Sequence, residues 1–224
     1  MILIWLSGAA ALIDLLCIAV YGPDAPVRLI TKPLPALLLA AMAFGRGGAA
    51  MRWLGAGLFV AAVGDATLLH SGTMPFLLGT LCFAVMHRCY IAAYMAVGAG
   101  LAALRPLVAV ALAIAVTGTL AAILPHAGTL GIAVAIYSLV LATMVFFALN
   151  LVGRIDARAG WCIGVGALVF MASDTLLAYA TFFPGFPLSG KGAELAIVGT
   201  YFVAQILIAS GVARAGTFNE MSNL

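Results

Sequence analysis

The chain has 224 residues, of which 66% are hydrophobic and only 8% are charged, and its formal net charge is +3. Soluble globular domains have about 45–50% apolar and about 25% charged residues, so this composition excludes an ordinary water-soluble domain. The basic residues lie at the ends of apolar runs and form no cluster, which argues against binding to nucleic acid.

The apolar runs predict membrane-spanning helices. Several contain about 20 consecutive mostly apolar residues, which is the length needed to cross about 30 Å of hydrocarbon. They show no alternation of apolar and polar residues with a period of two, so barrel strands are excluded. We therefore predict an all-α polytopic membrane bundle that forms one transmembrane domain over residues 1–224. Its eight transmembrane helices are predicted at about residues 2–20, 32–45, 51–70, 76–97, 104–124, 129–151, 160–182 and 192–213.

Proline, glycine and polar residues mark the predicted helix ends. The first helix ends at residues 21–23, which read Tyr-Gly-Pro. The second helix is short, with Thr31 as its expected N-cap and Pro33 in its first turn. Residues 1–20 lack the basic segment of a signal peptide, and Asp14 interrupts their apolar stretch, so we predict a first helix that is retained.

The basic residues predict the orientation of the bundle. Eight helices place both termini on one side of the membrane. Six arginines lie on that side, namely Arg46, Arg52, Arg105, Arg154, Arg158 and Arg214. Three basic residues lie on the opposite side, namely Arg28, Lys32 and Lys191. The positive-inside rule therefore places both termini in the cytoplasm.

Two aspartates interrupt the apolar helices in similar surroundings. Asp65 lies in Gly64-Asp65-Ala66-Thr67-Leu68, and Asp174 lies in Ser173-Asp174-Thr175-Leu176-Leu177. They are 109 residues apart, which is close to half the chain. This spacing indicates a 4+4 internal repeat, and the alternative is coincidence. Ionised carboxylates are costly in hydrocarbon, so intramembrane aspartates are candidates for function. The structural alternative is that they pair with Lys32 or cap a neighbouring helix.

Lys32 lies at the start of the second predicted helix, where the helix dipole disfavours a cation. We expect a compensating partner, either an inward-facing aspartate or a lipid phosphate. The alternative is an interfacial lysine whose ammonium group extends to the membrane surface.

Polar side chains form one stripe on each of two predicted helices. The fourth helix presents Gly79, Phe83, His87, Tyr90 and Tyr94 on one face, because their spacing matches helical turns. The eighth helix presents Glu194, Tyr201 and Gln205 in the same way. His87 is a candidate proton relay, hydrogen-bonding partner or metal ligand, although a lone interior histidine is often only a satisfied core residue. Glu194 has a structural alternative as a first-turn carboxylate that the dipole favours.

Other catalytic signatures do not occur in the sequence. It contains no GxSxG, HExxH or P-loop motif, which argues against a serine hydrolase and against an ATP-driven machine. No close ligand spacing indicates a metal site, and we predict neither a metal nor another cofactor. The four cysteines form no CxxC pair, so they indicate neither a disulfide framework nor a zinc ribbon.

Five of these motifs, in this order, resemble the YhhN family, whose animal members are lysoplasmalogenases. The matching residues are Lys32-Pro33-Leu34, Gly64-Asp65 with Leu68, Gly79 with Phe83, His87 and Tyr90, Ser173-Asp174 with Leu177, and Tyr201 with Gln205. The resemblance implies an eight-helix enzyme that acts on a lysophospholipid within the membrane. It would cleave the vinyl ether bond of a lysoplasmalogen, giving a fatty aldehyde and glycerophosphoethanolamine or glycerophosphocholine. The arginine distribution and small size indicate a member from a bacterial inner membrane.

This chemistry fits two buried carboxylates. Protonation of the β-carbon of a vinyl ether gives an oxocarbenium ion, and water then adds to form a hemiacetal that collapses. One of Asp65 and Asp174 is expected to be the acid and the other to stabilise the cation, with neither role assigned. Lys32 is expected to tune a carboxylate or to bind the phosphate. The residues expected to bind substrate or orient water are His87, Tyr90, Tyr201, Gln205, Ser173 and Glu194.

Two alternative functions stay open. A pseudo-repeat with intramembrane carboxylates and a lysine is also typical of a proton-coupled transporter or lipid-binding protein. Short helices, tight loops and the lack of a clear break in the middle of any helix argue against alternating access. The other alternative is a hydrolase of a different lyso-lipid.

Overall fold

The computed structural model describes residues 2–98 and 105–222. Within these residues the chain is helical and contains no strand. The helices are α1 (Ile2–Tyr21), α2 (Arg28–Thr31), α3 (Leu34–Phe44), α4 (Ala49–Thr67), α5 (Thr73–Ala96), α6 (Pro106–Ile123), α7 (Gly131–Leu151), α8 (Ala157–Phe182) and α9 (Gly190–Ser222). Two short 3-10 turns, Leu124–His126 and Gly128–Leu130, join α6 to α7.

Six helices in the described residues are long and apolar enough to cross a membrane, namely α1 and α5 to α9. The chain is therefore a polytopic helical membrane protein, as the composition predicts. Helix α3 has 11 residues, which corresponds to about 16 Å at the standard helical rise. It does not cross a bilayer alone, and α4 is also not among the six. Eight transmembrane helices therefore remain a prediction.

The segment before α3 differs from the sequence prediction. Helix α3 begins at Leu34, a separate short helix α2 precedes it, and Pro33 occupies the N-cap position of α3. Thr31 is the last residue of α2, so the prediction of Thr31 as the N-cap of the second helix is wrong. Its hydroxyl donates to the buried Asp14 carboxylate at 2.6 Å. The predicted start of the fifth helix, at residue 104, lies outside the described residues.

Glycines allow close packing of α4 against α5 and of α8 against α9. A Cβ atom at Gly57 would lie 2.9 Å from the Tyr90 ring, and one at Gly64 would lie 3.0 Å from the Phe83 ring. At Gly211 on α9, a Cβ atom would lie 2.9 Å from the Ala159 carbonyl oxygen of α8. Small residues at such crossings are typical of membrane helices, which associate through close packing.

Substitution of Gly211 by alanine is expected to destabilise the bundle, because backbone atoms of α8 must move to admit the methyl group. Overpacking of this kind costs about 1–3 kcal/mol. The matched control is Gly216→Ala on the same helix, where nothing lies within 4 Å and alanine is the better helix former by up to about 1 kcal/mol. The measurement is the thermal unfolding midpoint in detergent. Equal midpoints for the two variants would contradict the close packing of α8 and α9.

One end of the bundle, here called the arginine-rich end, joins the start of α6, the turn between α7 and α8, and the last turns of α9. Arg105 donates to the carbonyl oxygens of Leu149 and Val152, and Arg214 donates to Asp156 at 2.6 Å. The hydrogen bond from Arg214, together with one from the Ala159 backbone N–H, lowers the pKa of Asp156 below its ordinary value. These contacts connect the start of α6 to the end of α7, and α9 to the start of α8.

The opposite end, here called the cavity end, joins the last turn of α1 to the first turn of α9. Lys191 donates to the carbonyl oxygens of Ala19 and Val20 at 3.1 and 3.3 Å. The last carbonyls of a helix lack partners within the helix, and a lysine satisfies them while complementing the helix dipole. This contact fixes the start of α9 beside α1.

Candidate active site

A cavity of about 320 Å³ lies at the cavity end of the bundle. Its polar lining includes Arg28, Lys32, Asp65, Tyr137, Ser173, Asp174, Glu194 and Tyr201. Its apolar lining comes mainly from α5, α7 and α8 and includes Phe76, Val134, Leu141, Leu177 and Phe182. A pocket of this size, with a few convergent polar groups beside apolar side chains, is typical of small-molecule binding sites.

Asp65 is almost fully buried, with 1% of its surface exposed. The Tyr201 hydroxyl of α9 donates to its Oδ2 at 2.7 Å. Behind this pair, the Tyr90 hydroxyl of α5 donates to the Gln205 amide oxygen, and the Gln205 amide nitrogen lies 3.5 Å from the sulfur of Met86. The Tyr201 ring packs edge-on against Phe83 and Phe170, which fixes its orientation and through it that of the Asp65 carboxylate.

Asp174 belongs to a second hydrogen-bonded group, which Tyr137 of α7 connects. The Tyr137 hydroxyl donates to Asp174 Oδ2 and lies 3.0 Å from His87 Nε2. His87 Nε2 is itself 3.9 Å from Asp174 Oδ2. His87 Nδ1 is buried and has no hydrogen-bonding partner in the described part of the chain. The hydroxyl of Tyr137 therefore stands between a carboxylate and an imidazole, where it can accept from one and donate to the other.

A third group contains the charges at one end of the cavity. Arg28 is fully buried and forms two hydrogen bonds to Asp14, from Nε at 3.2 Å and from Nη2 at 3.1 Å. Its Nη1 donates to Glu194 at 2.9 Å and to the Pro23 carbonyl at 2.6 Å. Lys32 Nζ lies 3.7 Å from the same Glu194 oxygen. Four of the five N–H donors of Arg28 are thus used, whereas Lys32 forms a loose ion pair.

The structure separates the predicted site residues into two sets. Those that line the cavity are Lys32, Asp65, Ser173, Asp174, Glu194 and Tyr201. The three others, His87, Tyr90 and Gln205, are buried behind the lining, where they contact the tyrosines or other core groups. Ser173 donates to the Ile197 carbonyl at 2.8 Å, so its hydroxyl connects α8 to α9.

Sequence reasoning missed Tyr137, Arg28 and the role of Asp14. Tyr137 is followed by Ser138 within the otherwise apolar stretch 131–142, and this pair of polar residues was the available signal. Arg28 counted only as a loop cation, and no local pattern indicates that it pairs with Asp14, because the two residues belong to different helices.

The fold and the cavity define a class, namely polytopic helical membrane proteins with a buried site of carboxylates and tyrosines. The sequence model of the YhhN family matches residues 27–212. The chain belongs to the YhhN family, so the resemblance seen in its motifs is confirmed. In the described residues, no group of three or more His, Cys, Asp or Glu side chains is arranged to bind a metal ion.

Named relatives occur in mammals and in bacteria. The chain is 36% identical to lysoplasmalogenase TMEM86B of Sus scrofa over 194 residues, which is 84% of this chain and 76% of the relative. It is 34% identical to a lysoplasmalogenase of Mycobacterium bovis over 80% of this chain and 68% of the relative. It is 32% identical to lysoplasmalogenase TMEM86B of Homo sapiens over 83% of this chain and 75% of the relative. No solved structure matches the chain.

Proposed function

We propose that this protein is a lysoplasmalogenase, a membrane-embedded hydrolase of the vinyl ether bond of an alkenyl-glycerophospholipid. The observation that supports it most strongly is the convergence of Asp65 and Asp174, from α4 and α8, on one cavity with an apolar wall. The relatives in mammals and mycobacteria are named lysoplasmalogenases. The substrate would be a lysophospholipid that enters from the surrounding lipid.

The chemistry needs one proton donor and one anion. A carboxyl group donates its proton to the β-carbon of the vinyl ether, and the resulting oxocarbenium ion faces the second carboxylate. Water adds to the α-carbon and returns a proton to the first carboxylate, which gives a hemiacetal. The hemiacetal then loses its hydroxyl proton to one carboxylate while the leaving oxygen takes a proton from the other. The products are a fatty aldehyde and a glycerophospho-alcohol, and the overall reaction consumes one water.

The other site residues take supporting roles in this proposal. Tyr201 and Tyr137 orient the two carboxylates, since each donates a hydrogen bond to one of them. His87 and Gln205 act behind the tyrosines. Ser173 shapes the wall through its bond to α9. Lys32 and Glu194 face the polar end of the substrate, and the alkenyl chain lies over the apolar lining.

We also propose the topology that the sequence predicts. In this arrangement α3 and α4 complete eight transmembrane helices, both termini lie in the cytoplasm of a bacterium, and the cavity end faces the other side of the inner membrane. Arg105 and Arg214 at the arginine-rich end support this orientation, because the positive-inside rule places such residues in the cytoplasm. Lys191 belongs to the less basic cavity end.

A 4+4 repeat is part of the same proposal. It is supported by the hydrogen bonds that join the two halves of the site. Asp65, in the first half, accepts from Tyr201 in the second. His87, in the first half, contacts Tyr137 and lies near Asp174 in the second. Two repeats around a pseudo-twofold axis would place both aspartates at the interface between the halves.

The test is aldehyde release by the detergent-purified protein from 1-alkenyl-glycerophosphoethanolamine, with a boiled sample as the control. We expect turnover that EDTA does not change, because the proposed chemistry uses carboxylates alone. The acyl analogue, 1-acyl-glycerophosphoethanolamine, should release no fatty acid, because no nucleophile for acyl transfer is proposed. Folded protein that releases no aldehyde would contradict the proposal and favour a carrier or a different lipid substrate.

Phenylalanine at position 137 is expected to lower kcat by about 10- to 100-fold with little change in KM, because Asp174 loses its hydrogen bond and its connection to His87. The matched control is Tyr94→Phe. Tyr94 is also a buried tyrosine, and it does not line the cavity. Within the described residues, the one hydrogen-bonding contact of its hydroxyl is the Met144 sulfur, at 3.6 Å. Equal kcat values for the two variants would show that Tyr137 does not contribute through Asp174.

A further inference from the structure

We infer that Lys32 and Glu194 form the subsite for the substrate's head group, in which Lys32 binds the phosphate and Glu194 binds the ammonium group of a phosphoethanolamine. This inference rests on the proposed function and deepens it. According to this inference the enzyme recognises two parts of its substrate, namely the vinyl ether bond and a zwitterionic head group. The two cations at this end of the cavity, Arg28 and Lys32, have unequal surroundings.

Arg28 is not available to a ligand. Its guanidinium group is fully buried, forms two bonds to Asp14, and gives its remaining contacts to Glu194 and the Pro23 carbonyl. A phosphate that approached it would have to displace a buried carboxylate and leave that charge without its partner. Arg28 therefore holds both Asp14 and Glu194 in place and does not itself bind the substrate.

Lys32 is in the opposite situation. It is 8% exposed, and it lines the cavity. Its nearest carboxylate oxygen is that of Glu194 at 3.7 Å, beyond hydrogen-bonding distance, and no hydrogen bond from its ammonium group is found in the described residues. An ammonium group has three donors, and buried polar groups are normally hydrogen-bonded. Lys32 thus faces the cavity with unused donors, which suits an anion.

Glu194 offers the complementary charge beside it. Its side chain is 23% exposed, so it reaches the cavity. Only one of its oxygens, Oε1, takes part in the ion pairs with Arg28 and Lys32. An ionised carboxylate has about four lone-pair sites, so it retains capacity for another donor. A bound ammonium group would meet a carboxylate that Arg28 already holds in place.

A phosphoethanolamine fits between these two side chains because it carries one negative and one positive charge. On binding, the loose Lys32–Glu194 pair separates, and each member gains a closer partner of opposite charge. Lys32, Asp65 and Asp174 line the same cavity, so a phosphate bound at Lys32 shares the cavity with the two carboxylates. The vinyl ether, which is joined to the phosphate through glycerol, then lies by the carboxylates, and the alkenyl chain extends along Phe76, Leu141 and Leu177.

The alternative is that Lys32 only balances the charge of Asp65 and Glu194. Three substrates distinguish the two roles, namely 1-alkenylglycerol, 1-alkenylglycerol phosphate and 1-alkenyl-glycerophosphoethanolamine. The first lacks both head-group charges, the second has only the phosphate, and the third has both. The measured quantity is kcat/KM for aldehyde release from each substrate.

We expect wild-type kcat/KM to rise roughly 10- to 100-fold from alkenylglycerol to its phosphate, since hydrogen bonds to charged groups contribute that much. In Lys32→Met this ratio should fall toward one, mainly through KM, and Lys32→Arg should restore it. In Glu194→Gln, the preference for the phosphoethanolamine over the phosphate should be lost. Lys191→Met, at the same end but outside the cavity lining, should keep the wild-type ratios.

Size-exclusion profiles check that each variant is folded, and Lys32→Gln replaces Lys32→Met if the latter is not. An equal drop in kcat/KM for all three substrates, with wild-type ratios, would overturn the head-group assignment and leave the proposed function intact. Release of no aldehyde from any substrate by the wild type would overturn the proposed function, and the head-group assignment with it.

Discussion

Asparagine at position 65 or 174 is expected to reduce aldehyde release at least about 1,000-fold, because positioned acids and bases contribute about 10²–10⁴-fold each and the cation loses its counter-charge as well. Asparagine has nearly the same shape as aspartate, and its oxygen still accepts the hydrogen bond that Tyr201 or Tyr137 donates. The variant therefore removes the proton and the charge while it preserves the packing.

The measurement is kcat in detergent for both single variants and for Asp156→Asn, a matched change at the arginine-rich end that leaves the cavity untouched. Asp156→Asn is expected to retain wild-type kcat. The two-carboxylate mechanism is wrong if either cavity variant keeps more than about a tenth of the wild-type kcat, because one carboxylate would then suffice.

Methionine at position 28 is expected to destabilise the protein by about 3–5 kcal/mol, since it leaves the Asp14 carboxylate buried without its cation. Both side chains of this pair have 0% exposure, so water does not replace the lost partner. The double variant Arg28→Met with Asp14→Leu should recover much of the loss, because a well-packed apolar pair is often as stable as a buried ion pair.

Thermal unfolding midpoints of the two single variants, the double variant and the wild type form the test. We expect the midpoint of the double variant to lie near that of the wild type, and the midpoints of both single variants to lie well below it. A double variant no more stable than the single variants would show that Arg28 acts mainly through Glu194 and Pro23, its other two partners.

The features that the sequence predicted well are those with a strong energetic cost or a regular period. Asp65 and Asp174 stood out because a carboxylate in hydrocarbon is expensive. The stripe that contains His87 and Tyr90 followed from helical spacing, and both residues are indeed buried. Such signals identify a residue and the face it occupies without identifying its partner.

The features that were missed depend on contacts between distant segments. Tyr137 bonds Asp174, 37 residues later, and Arg28 bonds Glu194, 166 residues later. A tyrosine in an apolar helix is equally compatible with the lipid interface and with a buried site, so its sequence context alone did not separate the two. Thr31 resembled an N-cap because it precedes Pro33 in the sequence. In the structure it ends α2 and donates to Asp14 on another helix.

The hydrogen bonds between the two halves of the chain have an evolutionary consequence. The carboxylate of Asp65 is oriented by Tyr201, Tyr90 is bonded to Gln205, and His87 contacts Tyr137, so neither half contains a complete set of contacts. A substitution in one half therefore selects for a compensating substitution in the other. If the halves arose by duplication, they have since become interdependent, and a chimera that joins halves of two divergent relatives would inherit mismatched partners at the site.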